Sequence, residues 1–394
     1  MGYTLQAKKY ICPSMQKTKM GKRFKRQGVM ILRIGIIDAD LLNGNRHHMP
    51  NLACMKISGY HKQIGNQVHL LTEYSNLERF DRVYLSKVFT GTQYPQEVLS
   101  MEHVVYGGTG FYLDQAPELP CKIEHAMPDY NLYEKWLEGK GEEGKKSKKY
   151  RYYRDYSIGF LTRGCFRQCS FCINRKKTVS VPASPVAEFF MPQKKKICLL
   201  DDNFLACKEW NGLLRQLRET DHPIQFRQGL DIRLITLQAA MELASCRLDG
   251  DLIFAFDNIK DKDVIIEKMK IINPIFQETK RKRIKFYVLT GFDATARYNQ
   301  SFWGQDIFQT FERIRILMEN RAYPYIMRYE RYQESPYRGM YVNLSRWCNQ
   351  PHMYQRLSFR EFCFLAKEGS ACRKYLEEFE RNFPEMKSYF DMKY

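Results

Sequence analysis

The chain has 394 residues, 44% of them hydrophobic and 14% aromatic, and a formal charge of +19. That size and composition suit one large or two ordinary folded domains and exclude a disordered or low-complexity chain. No stretch approaches the about 18 uninterrupted apolar residues of a membrane span, and the N-terminus lacks the apolar centre of a secretion signal. A cytoplasmic protein with no membrane partner is therefore expected. In a reducing compartment, clustered cysteines point to metal and scattered ones to small buried hydrophobes. The positive charge is uneven. Lys8, Lys9, Lys17, Lys19, Lys22, Arg23, Lys25 and Arg26 stand in residues 1–30 with no acidic residue among them. A second run, Lys145, Lys146, Lys148 and Lys149, is followed by Arg151 and Arg154. Such runs are usually solvated segments; attraction of a polyanionic substrate is the alternative.

Residues 1–29 show no apolar period and are expected as a disordered basic extension, with Met30 a candidate native start. From residue 31 the pattern alternates. Residues 31–38 are a buried-strand run, 51–65 a helix, and 67–72, 82–89 and 104–108 further strands, with a short helix at 95–100. This alternation predicts a parallel sheet covered by helices, a small doubly wound domain over 30–115. Residues 116–155, with Gly139, Gly141, Gly144 and the lysine run, read as a linker. A second domain over 156–330 has strands expected at 157–161, 197–200, 224–228, 252–256, 284–289 and 325–327, separated by helical segments. Six βα units in this length predict an open, partial (β/α)6 barrel, whose active site belongs at the strand C-termini. Residues 331–394 read as a helical, aromatic-rich extension, with helices at 359–367 and 371–383. Its tyrosines and Arg346-Trp347 are expected to seal the barrel mouth, a base-stacking surface being the other use of such a stretch.

The sharpest chemical signal is Cys165, Cys169 and Cys172, a C-x3-C-x2-C run directly after the first strand of the second domain. Three soft thiolates on one short loop can each take a different iron of a cubane and leave the fourth iron open. A zinc site, or three loop thiols without metal, is the competing interpretation. Cys348, Cys363 and Cys372 form a looser set, read as packing cysteines with an auxiliary cluster as the alternative.

Leu161-Thr162-Arg163-Gly164-Cys165 and Cys169-Ser170-Phe171-Cys172 resemble the cluster loop of the radical S-adenosylmethionine superfamily, in its cobalamin-domain and methylthiotransferase branches. Leu199-Leu200-Asp201-Asp202-Asn203-Phe204 and His125-Ala126-Met127-Pro128-Asp129-Tyr130 are similar to its second strand end and its pre-barrel linker. The resemblance implies a [4Fe–4S] cluster on Cys165, Cys169 and Cys172, with S-adenosylmethionine on the open iron. It also implies reductive cleavage to a 5′-deoxyadenosyl radical that abstracts hydrogen from a substrate, with electrons from a donor such as flavodoxin or ferredoxin. By the same resemblance Phe171 lies beside the adenine, and Asp201, Asp202 and Asn203 meet the methionine amino group, although the family's Gly-Gly-Glu is missing there. Arg227 and Gln228 are candidates for the carboxylate, Asp257 for the ribose, and Gly291 and Asp293 for the adenine edge. Each of these is also an ordinary place for a helix cap or loop hydrogen bond.

The first domain resembles the flavodoxin-like, cobalamin-binding domain of one branch. Its Asp-x-His-x-x-Gly loop is lacking here, since Arg46-His47-His48 and His61 do not match the spacing, so cobalamin is not expected. The methylthiotransferase branch carries three further cysteines in its first domain, whereas this chain has only Cys54 and Cys121 between Met30 and the end of the linker. The substrate expected is a small molecule or peptide. The alternatives are a tRNA- or other nucleic-acid-modifying enzyme of the same superfamily and a non-catalytic iron–sulfur or zinc protein.

Overall fold

The computed structural model describes residues 25–26, 29–43, 48–277 and 283–394. Of the basic segment 1–29, only Lys25–Arg26 and Val29 fall within it, in a short antiparallel ladder that pairs Lys25 with Met30; the rest, like Arg46 and His47, lies outside the described residues. The chain divides into two compact units. The first runs to Leu161 and takes in Ile173–Lys177 and Pro182–Cys198; the second comprises Thr162–Cys172, Thr178–Val181 and Leu199–Tyr394.

The first unit holds a four-stranded parallel sheet of β1 (Arg33–Asp38), β2 (Gln67–Leu70), β3 (Arg82–Ser86) and β4 (Val104–Gly107), in the order β2-β1-β3-β4. Successive side chains of a strand face opposite sides. Ile34, Ile36 and Tyr84 accordingly join one apolar cluster, while Ile37, Val83 and Leu85 join another. Burial on both faces is what parallel strands require. Helix α1 (Leu52–Gln63) starts where expected because Asn51 Oδ1 accepts the Cys54 N–H, an N-cap bond of 3.2 Å. The short helix expected at 95–100 is a 3-10 turn, Gln96–Ser100.

Residues 116–155 are more than a solvated connection. Ile123, Tyr130, Leu132, Tyr133 and Tyr153 are buried in the same cluster as Ile34 and Met55. The Tyr133 hydroxyl donates to Asp38 Oδ2 at 2.8 Å and accepts from the Asn51 N–H. The glycine and lysine content of the segment masks these aromatic anchors, whose spacing follows no helical or strand period. The unit also contains β5 (Tyr156–Gly159), hydrogen-bonded to its neighbour β6 (Lys196–Leu199).

The second unit begins, in strand terms, at Leu199, the last residue of β6. Next come β7 (Ile224–Phe226), α2 (Trp210–Glu219) between them, and α3 (Leu237–Ala244). A three-stranded parallel sheet follows: β8 (Leu252–Ala255), β9 (Ile284–Thr290) and β10 (Tyr323–Arg328), with Phe254, Phe286 and Pro324 in register. Parallel bridges at Ile224–Leu248 and Leu230–Phe254 extend the pairing towards β7. Pro324 is tolerated because β10 is an edge strand. Asn349 satisfies that edge, accepting from Ile326 N at 2.7 Å and donating to its carbonyl at 3.1 Å. Helices α4 (Lys262–Gln277) and α5 (Gln300–Glu319) connect the last three strands, and α5 buries Trp303, Ile307, Phe311 and Ile314.

The C-terminal extension folds as α6 (Arg338–Cys348), α7 (Phe359–Phe364) and α8 (Ala371–Asn382) with shorter turns. Met340, Leu344, Trp347, Phe359 and Phe379 are fully buried. All six strands expected after residue 156 are present, so the chain is a mixed α/β protein with parallel sheets. Among the described residues no helix is long and apolar enough to cross a membrane.

Candidate functional site

The cysteine loop, Thr162–Cys172, belongs to the second unit together with the residues proposed from the sequence to meet S-adenosylmethionine. Its entry is fastened by two carboxylates from the end of β6. Asp201 is 4% exposed, and its Oδ1 accepts both the N–H and the hydroxyl of Thr162, at 2.6 and 2.7 Å. Asp202 Oδ2 accepts the Gly164 N–H at 2.8 Å. Gly164 sits at φ +103, in the left-handed region that only glycine enters without strain. Gln168, at φ +49, turns the loop and donates from its side chain to the Cys165 carbonyl. The Cys172 N–H closes a further turn on the Cys169 carbonyl at 2.9 Å. These bonds leave Cys165, Cys169 and Cys172 half-buried and outside any disulfide among the described residues.

The third polar residue of the strand end acts differently. Asn203, 4% exposed, points Nδ2 at Cys165 Sγ (3.5 Å) and Asp231 Oδ2 (3.3 Å). Because a carboxylate can only accept, Asp231 fixes which end of the amide is the nitrogen. Asn203 Oδ1 is then buried without a hydrogen-bond partner among the described residues. An orphaned acceptor of this kind costs about 1–3 kcal/mol and marks a place for an absent donor.

Asp231 is the electrostatic hub. Its Oδ2 accepts Arg167 Nε and its Oδ1 accepts Arg233 Nε, each at 2.7 Å, with the Arg233 backbone N–H at 3.2 Å. Burial alone would raise its pKa, but the two guanidinium groups outweigh that and hold the carboxyl below its usual range. Arg167 also lies 4.4 Å over the Phe166 ring, so the loop is gripped from within the cysteine motif itself. Arg233 reaches on to Asp261 at 3.1 Å. Cys169 stands between opposite charges: burial, then Asp257 and the two sister thiols, push its pKa up, while Arg233 pulls it down.

The later strand ends divide. Asp257, pushed up by burial, accepts the Leu289 N–H at 2.9 Å. The fully buried Arg313 ties that corner together, donating to the carbonyls of Phe256, Asp257 and Leu289 at 2.9–3.0 Å. Gly291, at φ +75, gives its N–H to Asp306 Oδ2, which also accepts the Tyr341 hydroxyl, both at 2.8 Å. The Phe171 ring meets Phe292 edge-on at 5.6 Å, and Phe292 meets Tyr329 at 4.9 Å. The cysteine loop is thereby packed against the residue between Gly291 and Asp293. Asp293 itself accepts from Thr295, Arg297 and Tyr298, so its carboxylate is spent on its own loop. Arg227 and Gln228 are exposed, placed by the Arg227 N–H on the Leu199 carbonyl.

Sequence reasoning passed over Thr162, Arg167, Asp231, Arg233, Asp306, Arg313 and Tyr341. Only Asp231 carried a legible signal, an aspartate two residues beyond Gly229 in the loop that follows β7. The others sit in segments whose polar residues look like ordinary solvated positions. In the C-terminal extension, Cys348 is buried near Tyr354, whereas Cys363 and Cys372 are neighbours. Among the described residues no three His, Cys, Asp or Glu side chains converge on one point as a mononuclear ion needs. A cubane makes a different demand, because each thiolate takes its own iron.

No family model and no curated protein matches the chain. Among solved structures it is similar to apo, selenomethionine-labelled OxsB, a cobalamin-dependent S-adenosylmethionine radical enzyme, with a TM-score of 0.41 and 10% identity over 89% of this chain. The match covers 61% of that protein's length. A likeness at this level carries neither fold nor function over to the chain.

Proposed function

We propose that the protein is a radical S-adenosylmethionine enzyme, acting on a small molecule or peptide and reduced by a flavodoxin- or ferredoxin-type donor. The observation that carries this proposal is the cysteine loop: three half-buried thiols in C-x3-C-x2-C spacing, pinned by Asp201 and Asp202, with a buried amide at Cys165. The donor set fits a [4Fe–4S] cluster, since soft thiolates select iron–sulfur and three of them leave one iron for another ligand. The strand order β2-β1-β3-β4 of the first unit supports a flavodoxin-like doubly wound domain, and the six later strands support a partial barrel.

When bound, the cluster and S-adenosylmethionine supply one-electron reductive cleavage to a 5′-deoxyadenosyl radical. The chain's own part is binding and orientation. Cys165, Cys169 and Cys172 would hold the metal, with Arg233 offsetting part of the charge their thiolates accumulate. The orphaned Asn203 Oδ1 is an acceptor suited to an ammonium group, so Asn203 is the strongest of the three strand-end candidates for the amino group. Asp201 and Asp202 serve as positioning residues, because their carboxylates already hold the loop. Phe171 offers an aromatic face for the adenine, with Asp257 and Gly291 on neighbouring strand ends. Arg227 and Gln228, exposed after β7, are the candidates for a carboxylate, whereas Asp293 acts through the loop it braces.

Anaerobic reconstitution with iron and sulfide tests the proposal. Expected are about four irons per chain, a paramagnetic signal after dithionite reduction, and 5′-deoxyadenosine on adding S-adenosylmethionine. No 5′-deoxyadenosine above a Cys169→Ala control would overturn it, and one tightly bound zinc in place of iron would favour a structural site.

A further inference from the structure

The second unit contains a pair of thiols outside the cysteine loop. Cys363, on α7, is fully buried and lies beside Cys372, on the first turn of α8. Asn343 of α6 bridges them, its Nδ2 lying 3.1 Å from the Cys372 carbonyl and 3.8 Å from Cys363 Sγ. Cys372 is only half-buried and lines a cavity of about 590 Å³ together with Arg338, Arg346, Tyr332 and Tyr375. Arg338 donates to the Tyr375 hydroxyl at 3.3 Å. Among the described residues neither Arg338 nor Arg346 has a carboxylate within ion-pair distance. A cation-lined cavity with one accessible thiol and a second thiol behind it is the arrangement of an attacking and a resolving cysteine.

We propose that Cys372 and Cys363 form a redox-active dithiol whose oxidant is a small anionic disulfide bound in the arginine-lined cavity. The Cys372 thiolate attacks one sulfur of that disulfide; the oxidant's S–S bond breaks and one small thiolate leaves. The Cys363 thiol then loses its proton and attacks the Cys372 sulfur, expelling the second small thiolate. Two protein thiols are oxidised, one external disulfide is reduced to two thiols, and the two protons pass to the departing thiolates. The order follows from burial, which pushes the Cys363 pKa well up and keeps it a thiol until the mixed disulfide forms beside it. The new bond ties α7 to the start of α8. It involves none of the three loop cysteines, so it stands apart from the proposed radical chemistry.

The test uses the full chain, with oxidised glutathione as the anionic probe and hydroxyethyl disulfide as the neutral one, read by differential alkylation and peptide mass spectrometry. Expected is a Cys363–Cys372 linked peptide two hydrogens lighter. A glutathione adduct on Cys372 should accumulate in Cys363→Ala and be absent from Cys363 in Cys372→Ser. Oxidation by glutathione disulfide should outpace the neutral probe about tenfold at low salt, a preference lost in Arg338→Ala/Arg346→Ala. The wild-type linkage needs no variant to fold. Both thiols remaining free, an adduct appearing first on Cys363, or equal rates for the two probes would each overturn the proposal.

Discussion

Replacing Asp231 by alanine should cost the second unit about 3 kcal/mol. The carboxylate is 6% exposed and receives two charged hydrogen bonds of 2.7 Å, each of a type that contributes roughly 1.5–3 kcal/mol. Its partners are 27% and 29% exposed, so both guanidinium groups can recover water, and the full sum is not expected. The loss exceeds that of a surface pair because Asn203 Nδ2 also loses an oxygen acceptor. With a urea m-value of about 2–3 kcal/mol/M, the midpoint should fall by about 1–1.5 M, measured by circular dichroism at constant m. Asp231→Asn retains acceptor capacity on one side and should fall by about half as much. The sign of the pH dependence is set by the depressed carboxyl. Its charge contribution is complete above the ordinary value of 3.8 and is lost as pH falls through the lower folded-state value. Wild type and Asp231→Ala should therefore differ equally at pH 5 and pH 7 and converge below 3.8. A midpoint shift under about 0.3 M at pH 7, or a gap that widens below pH 3.8, would refute the role of Asp231 as hub.

Asp201→Ala removes both bonds to Thr162 and strands a buried N–H, at about 2 kcal/mol. Alkylation of Cys165 should accelerate relative to wild type, and an unchanged rate would mean that Asp201 does not hold the loop. In the first unit, burial and then the nearby Arg82 charge lower the His61 pKa to about 4, while its ring bonds Tyr84 and Asn66. A base depressed on folding leaves stability whole above its ordinary value of 6.5 and removes it as pH falls from there to about 4. The loss should approach about 3 kcal/mol in denaturant titrations, and His61→Gln should flatten the profile. Gly59→Ala places a methyl 2.0 Å from the Met127 carbonyl oxygen, in rigid backbone, so it should destabilise by about 3 kcal/mol or more. Gly212→Ala meets nothing within 4 Å and serves as the control.

The sequence by itself determined the alternation of strands and helices and the position of the thiol loop. Both are local: strand runs such as 284–289 announce themselves by side-chain pattern, and a C-x3-C-x2-C spacing is a property of eight adjacent residues. The helix placed over 51–65 was legible for the same reason. What only the tertiary structure decided was how polar residues far apart in the chain divide their duties. Asp201, Asp202 and Asn203 look equivalent as a run, yet two spend their carboxylates on Thr162 and Gly164, while Asn203 retains a buried acceptor. Asp231 could not be recognised as a hub until folding brought Arg167 to it across 64 residues. Asp293, chosen for its strand end, proved to satisfy backbone donors a few residues away. Residues 116–155, polar and glycine-rich on average, anchor a core through a few tyrosines that composition dilutes. Hydrophobic period is set by neighbours along the chain, but hydrogen-bond partnership is set by neighbours in space.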